Sequence, residues 1–143
     1  LYESNGYFYQ TDAQRRLVEV TGELSLNRAS RNTHQQRKAG HSSGIGGDEG
    51  GHMIGAQFNG PGDGPLHLVP QGMKLNRGAG SEWADMERTW ARELGAGNIV
   101  RVNIEIMWPN GGKRPDGFKV TYEIIDNGTG KLDVFSDFFI NEK

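Results

Sequence analysis

Apolar and polar positions alternate along five stretches of this chain, and one stretch follows a helical rhythm instead. "YFYQTD" and "RLVEVTGELSL" are predicted as two strands joined by a polar turn at Ala13–Arg15, with the second alternating imperfectly. "NIVRVNIEIMW" alternates cleanly, with Val100, Val102, Ile104 and Ile106 on one face. "FKVTYEII" and "LDVFSDFFI" are two further strands, separated by the turn signal "NGTG". Between these groups lies the helix "EWADMERTWAREL", opened by the N-capping residue Ser81 and closed by Gly95 and Gly97. At 3.6 residues per turn, Trp83, Met86, Trp90 and Leu94 fall within about one third of its circumference. Strands dominate, one main helix interrupts them, and no parallel βαβ rhythm is present. The pattern predicts an α+β fold built on an antiparallel sheet.

The middle of the chain is different. Ten of the 25 residues from Gly40 to Gly64 are glycine. Glycine enlarges the unfolded ensemble, so this density implies tight turns or a backbone that something approaches closely. "HMIGAQF" and "LHLVP" are short strand candidates here, with "GPGDGP" as the turn of a hairpin.

Composition narrows the field. The chain has 143 residues, of which 34% are hydrophobic and 22 are glycine, enough for one modest core. No repeat and no linker divides it, so residues 1–143 read as a single domain. No apolar run approaches a membrane span, and no anchor is expected. With no cysteine, disulfides, zinc-thiolate sites and thiol nucleophiles are excluded. That composition suits a reducing compartment or a protein that unfolds and refolds in transit. "GxxxxGK[ST]" is absent, which argues against an NTPase. The net charge of −2 gives no global attraction for nucleic acid, but Leu24 to Gly47 carries no acid and holds Arg28, Arg31, Arg37 and Lys38. Such a local basic patch is either a solvated loop or a phosphate-binding surface.

Three residues stand out as candidate chemistry. Glu87 follows Trp83 by four positions and precedes Trp90 by three, which sets a carboxylate on the edge of the apolar face. It is either a snorkelling side chain or a group facing a cation, a metal or metal-bound water. Asn76, in "KLNRG", is either a turn residue or a neutral oxygen ligand of the kind that suits Mg²⁺. His52 alone is weak evidence. The four histidines, at 34, 41, 52 and 67, are separated by 7, 11 and 15 residues, which matches no zinc spacing.

Taken in order, "DEGGHMIGAQFNGPGD", "LHLVPQGMKLNRG" and "WADMERTW" resemble the DNA/RNA non-specific endonuclease family. The likeness is to the branch found at the C-termini of secreted bacterial polymorphic toxins. The opening "YFYQTDAQRRLVEVTGELSL" and the late "KRPDGFKVTYEI" extend it over nearly the whole chain. The resemblance implies a ββα-metal, or His-Me finger, fold, in which a hairpin carries the histidine and the next helix carries metal-site residues. On this likeness His52 is the general base, Asn76 the direct Mg²⁺ ligand (Mn²⁺ being a substitute), and Glu87 the carboxylate that holds metal-bound water. Arg31 falls on an upstream phosphate-clamping arginine; Arg28, Arg37 and Lys38 of the basic patch, with Arg77, are the nucleic-acid-binding residues expected beside it. Asp48, Gln71 and His67 fall on supporting positions.

The chain departs from the pattern twice. Relatives with D-R-G-H have arginine two residues before the histidine, where this chain has Gly50; Arg77, Arg114 or Arg31 alone would have to supply that charge. His67 stands where the family usually has asparagine. The implied activity is hydrolysis of DNA and RNA by a His-activated water, in a toxin domain at the end of a longer protein. Such a domain is secreted or delivered into a target cell and matched by an immunity protein in the producer. The rival readings are a metal-independent ribonuclease using two histidines, and a non-catalytic β-rich interaction module.

Overall fold

The structure, a computed structural model, describes residues 1–26, 39–40, 48–61, 67–77 and 80–142. A six-stranded antiparallel sheet forms its frame. In chain order the frame strands are β1 (Tyr2–Ser4), β2 (Tyr7–Thr11), β3 (Leu17–Glu23), β6 (Ile99–Met107), β7 (Gly117–Ile125) and β8 (Leu132–Ile140), and they lie side by side in that order. The chain leaves the sheet after β3 and returns at β6. In the interval it builds a two-stranded antiparallel hairpin, β4 (Asp48–His52) and β5 (Leu68–Gly72), a single helical turn, α1 (Met73–Asn76), and the main helix, α2 (Glu82–Gly95).

The alternating positions form the core. Tyr9 pairs with Val20, Val20 with Ile104 and Ile104 with Val120, so one apolar row crosses four strands. Val100, Val102, Ile104 and Ile106 are all buried on this face. Helix α2 lies across it. The edge of Trp83 meets Phe118 and Phe139 at centroid distances of 5.4 and 5.3 Å, and Trp90 meets Tyr122 at 5.5 Å. Ser81 caps α2, its Oγ accepting from the Ala84 N–H at 3.1 Å. The same hydroxyl donates to the Leu75 carbonyl at 2.6 Å, which ties α1 to the start of α2. The turns fall where the small and polar residues predict. Arg15 has φ 63° between β2 and β3, and Asp126 Oδ1 accepts from the Gly128 and Thr129 N–H groups between β7 and β8. At the free edge of β8, Leu132, Val134, Phe138 and Ile140 are exposed.

Two local elements differ from the expectation. "HMIGAQF" is not a strand: β4 ends at His52, and a 3-10 turn, Ala56–Phe58, follows. Asn59, at φ 62°, and Gly60 turn the chain back, their N–H groups bonding the Ala56 and Gly55 carbonyls. The apolar residues that imitate a strand here, Met53, Ile54, Ala56 and Phe58, are buried anchors of an irregular segment. The Tyr7 hydroxyl donates to the Phe58 carbonyl and fixes that segment to the sheet. Strand β1 and helix α1 are too short to leave a periodic signal.

Candidate active site

The hairpin, α1 and α2 converge on one open cavity of about 400 Å³, lined by His52, Gly55, Ala56, Gln57, Asn76, Arg77, Trp83 and Glu87. His52 is the last residue of β4, opposite Leu68, and is 8% exposed. β5 runs without a break into α1, whose last residue is Asn76. The Ser81 cap then starts α2, which brings Glu87 up on its second turn. Three residues spread over 36 positions thus share one cavity because a strand end, a one-turn helix and a longer helix meet there.

Asn76 is held in a defined orientation. Its Nδ2 donates to Glu49 Oε1 at 2.9 Å, so the carbonyl prong, Oδ1, is the one left to face away from that carboxylate. Glu49 also accepts from Arg77 Nε at 2.9 and 2.7 Å. These hydrogen bonds, from Arg77 first and then Asn76, hold the Glu49 carboxyl below its ordinary range, and Glu49 in turn raises the Arg77 guanidinium. The Glu87 carboxylate lies against Gly55: a Cβ there would sit 2.8 Å from Oε2. Gly55 therefore leaves the room that Glu87 needs.

The other glycines of the hairpin also meet the protein's own atoms. A Cβ on Gly51 would collide with Oε1 of Gln71, whose side chain is fully buried. A Cβ on Gly72 would collide with the Glu142 carbonyl, and one on Gly60 with the Ile54 carbonyl. At these described positions the close approaches are internal ones.

The remaining candidates divide as follows. Asp48 does not line the cavity; it is buried in a two-pronged ion pair with Arg114, at 2.6 and 3.0 Å. Arg114 also donates to the carbonyls of Asn141 and Glu142, so it is occupied in holding the end of the sheet against the hairpin. Arg77 is then the arginine that lines the cavity among the described residues. Gln71 packs beneath Gly51 and does not line the cavity. His67 also lies away from it, packing on Tyr9 and Tyr2 at 4.8 and 5.8 Å. Arg28, Arg31, Arg37 and Lys38 lie outside the described residues.

Two residues of the site neighbourhood leave no sequence signal. Glu49 reads as one more acid beside Asp48. Asn141 accepts from the Gly72 N–H at 2.8 Å and donates to the Pro70 and Pro115 carbonyls at 3.1 and 2.9 Å, yet lies 69 positions from Gly72.

The donor set can be tested against a divalent cation. Among the described residues no group of three His, Cys, Asp or Glu side chains could form a metal cage. The donors lining the cavity are the carboxamides of Asn76 and Gln57, the Glu87 carboxylate and the His52 imidazole, of which Asn76 and Glu87 stand on α1 and α2. Two hard oxygen donors from separate elements fit a small hard cation that keeps several of its waters, as Mg²⁺ does. They fit a cation that needs a full protein shell poorly.

A histidine at the end of a hairpin strand, faced by a helix that carries a carboxylate, is the ββα-metal arrangement of His-Me finger nucleases. The chain belongs to the DNA/RNA non-specific endonuclease family, whose model matches residues 1–126. It is 36% identical over 123 residues to the type VII secretion system protein EssD of Staphylococcus aureus strain USA300; that match covers 83% of this chain and 20% of EssD. The chain thus spans about a fifth of the length of the curated relatives it matches. The fold is similar to that of NucA from Streptococcus agalactiae with magnesium ion bound. The TM-score is 0.72 at 13% identity, covering all of this chain and 73% of NucA. An extracellular endonuclease is similar at a TM-score of 0.67 and 19% identity, covering all of this chain and 82% of that one.

Proposed function

We propose that this domain is a Mg²⁺-dependent endonuclease that hydrolyses the phosphodiester bonds of both DNA and RNA, with Mn²⁺ able to replace Mg²⁺. The observation that carries this reading is the convergence of His52, Asn76 and Glu87 on one open cavity within a family of non-specific endonucleases. The His52 imidazole, which titrates near neutral pH when unperturbed, takes a proton from the attacking water. Asn76 Oδ1 would hold the cation directly, and Glu87 would hold it through bound water. When bound, the cation supplies positive charge to the scissile phosphate and to the departing 3′-oxygen. Arg77, and Arg31 from outside the described residues, add guanidinium donors to the phosphate. Arg28, Arg37 and Lys38 supply further positive charge for binding the nucleic-acid backbone. No group in this set reads a base or needs a 2′-hydroxyl, so sequence and sugar type matter little.

The likeness to a secretion-system protein over one fifth of that protein's length supports a wider reading. The domain is the nuclease part of a longer secreted toxin, acts inside a target cell, and is matched by an immunity protein that covers the His52 cavity in the producer.

The test is to incubate the purified chain with plasmid, single-stranded DNA and RNA, in Mg²⁺ and in excess EDTA. All three substrates are degraded in Mg²⁺ and none in EDTA. Cleavage of RNA alone that survives EDTA would establish the metal-independent ribonuclease in its place.

A further inference from the structure

We infer that Glu49 is a positioning residue for the metal site: it fixes which prong of the Asn76 carboxamide faces the cavity, and Arg77 holds Glu49 in place to do so. The inference rests on the reading of Asn76 as the metal ligand. A carboxamide has two ends of nearly the same shape and opposite polarity. Turned one way, Asn76 offers a cation its oxygen; turned the other way, it offers an NH₂ group that repels it. Nothing intrinsic to asparagine chooses between the two. An ionised carboxylate does choose, because it accepts hydrogen bonds and cannot donate them. With Glu49 Oε1 2.9 Å from the carboxamide, the NH₂ end must face it. Rotation by half a turn would set two oxygens against each other.

Glu49 is itself constrained. It sits on β4 opposite Gln71, and both its oxygens accept from the Arg77 Nε, at 2.9 and 2.7 Å. Arg77 is the residue next to Asn76, so ligand, orienting carboxylate and counter-charge form one closed unit. The unit spans the start of the hairpin and the end of α1. Partners of this kind behind a metal ligand are worth about 10–100-fold in metal affinity.

Mn²⁺ is the probe, titrated into the purified chain while its free-ion electron spin resonance signal is followed. The wild type binds one Mn²⁺ at a site that Asn76→Ala removes. Glu49→Ala weakens that binding about 10–100-fold. The Mg²⁺ concentration for half-maximal cleavage rises by a similar factor, the loss falling there more than on the saturated rate. Glu49→Gln lacks the charge but keeps one oxygen, which the two donors Arg77 Nε and Asn76 Nδ2 both select over its NH₂ end, and its affinity lies much nearer the wild type. Glu49→Leu fills the same space if the alanine variant unfolds, and thermal melting reports whether each variant is folded.

Undiminished Mn²⁺ affinity in a folded Glu49→Ala or Glu49→Leu protein overturns the inference. Equal losses in the glutamine and alanine variants also overturn it, because charge alone would then account for both. If the wild type has no Mn²⁺ site sensitive to Asn76→Ala, the metal reading itself fails, a different result from either.

Discussion

The six-stranded sheet and the two-stranded hairpin are both antiparallel β-structure, and they are specified by opposite means. The sheet is held by side chains that are present: Val20, Ile104, Val120 and their neighbours fill one face and meet Trp83 and Trp90 of α2. The hairpin is shaped by side chains that are missing. Gly51 makes room for buried Gln71, Gly55 for the Glu87 carboxylate and Gly72 for the Glu142 carbonyl. The sheet's strands are marked by local alternation, although the β3–β6 pairing joins Val20 to the distant Ile104. The hairpin needs contacts from residues far away in the chain, above all Arg114 and Asn141. Stability is therefore concentrated in the first region and chemistry in the second, and substitutions should separate the two.

The largest effect is expected at His52. Its replacement by alanine lowers cleavage by about 10²–10⁴-fold, the usual contribution of a positioned base. Nucleic-acid binding, read by gel shift in Ca²⁺, is largely kept. Loss of binding and cleavage together would make His52 a contact or structural residue and blur the division. Ile104→Ala is the reverse case. It costs about 2–5 kcal/mol of stability by emptying a core position, while the folded fraction, assayed below its midpoint, cleaves at the wild-type rate. A lower rate per folded molecule would show that the sheet acts on the site as well as supporting it.

Gly55→Ala tests the hairpin's dependence on absent atoms. The new methyl displaces the Glu87 carboxylate, and cleavage falls by about 10–100-fold, as for loss of a metal-site partner. The melting temperature changes little. An unaltered Mg²⁺ dependence would show that Glu87 does not need its present position.

The smallest effect belongs to the sheet's turn. Hydrogen bonds from the Thr129 and Gly128 N–H groups hold the Asp126 carboxyl below its ordinary value. Its contribution is therefore present above the unfolded aspartate value, about 3.9, and is lost as pH falls through the lower folded value. Asp126→Asn flattens the acid side of the melting-temperature profile below about pH 4, with cleavage at neutral pH unchanged. A profile identical to the wild type would remove Asp126 from the account.

This contrast also explains what could be read from the sequence. The strands on either side of Ser81–Gly97, and the helix itself, are legible because alternation, a capping serine and a spaced pair of tryptophans are local signals. His52, Asn76 and Glu87 are legible as a set only through their ordered resemblance to a family, since each alone has an ordinary structural reading. The strand seen in "HMIGAQF" fails because Met53, Ile54 and Phe58 are buried from an irregular backbone, which period alone does not distinguish from a strand. The glycines were readable as close approach, and at Gly51, Gly55 and Gly60 the atoms approached are internal. Arg114 was read as a spare cation, but its pairing with Asp48, like the roles of Glu49 and Asn141, was not readable because the partners lie 66, 27 and 69 positions away.

The Arg114 and Asn141 ties have a consequence for time as well as for shape. Asp48 waits 66 residues for its guanidinium, and Gly72 waits 69 for its acceptor. A chain emerging from its N-terminus can pair β1 with β2 and β2 with β3 at once, since those contacts are local. It cannot close the loop from Asp48 to Arg114 until β6 has passed, nor the loop from Gly72 to Asn141 until β8 has passed. The hairpin that carries His52 is thus made early and secured late. Through most of its synthesis the polypeptide holds the parts of its cavity without their final brace.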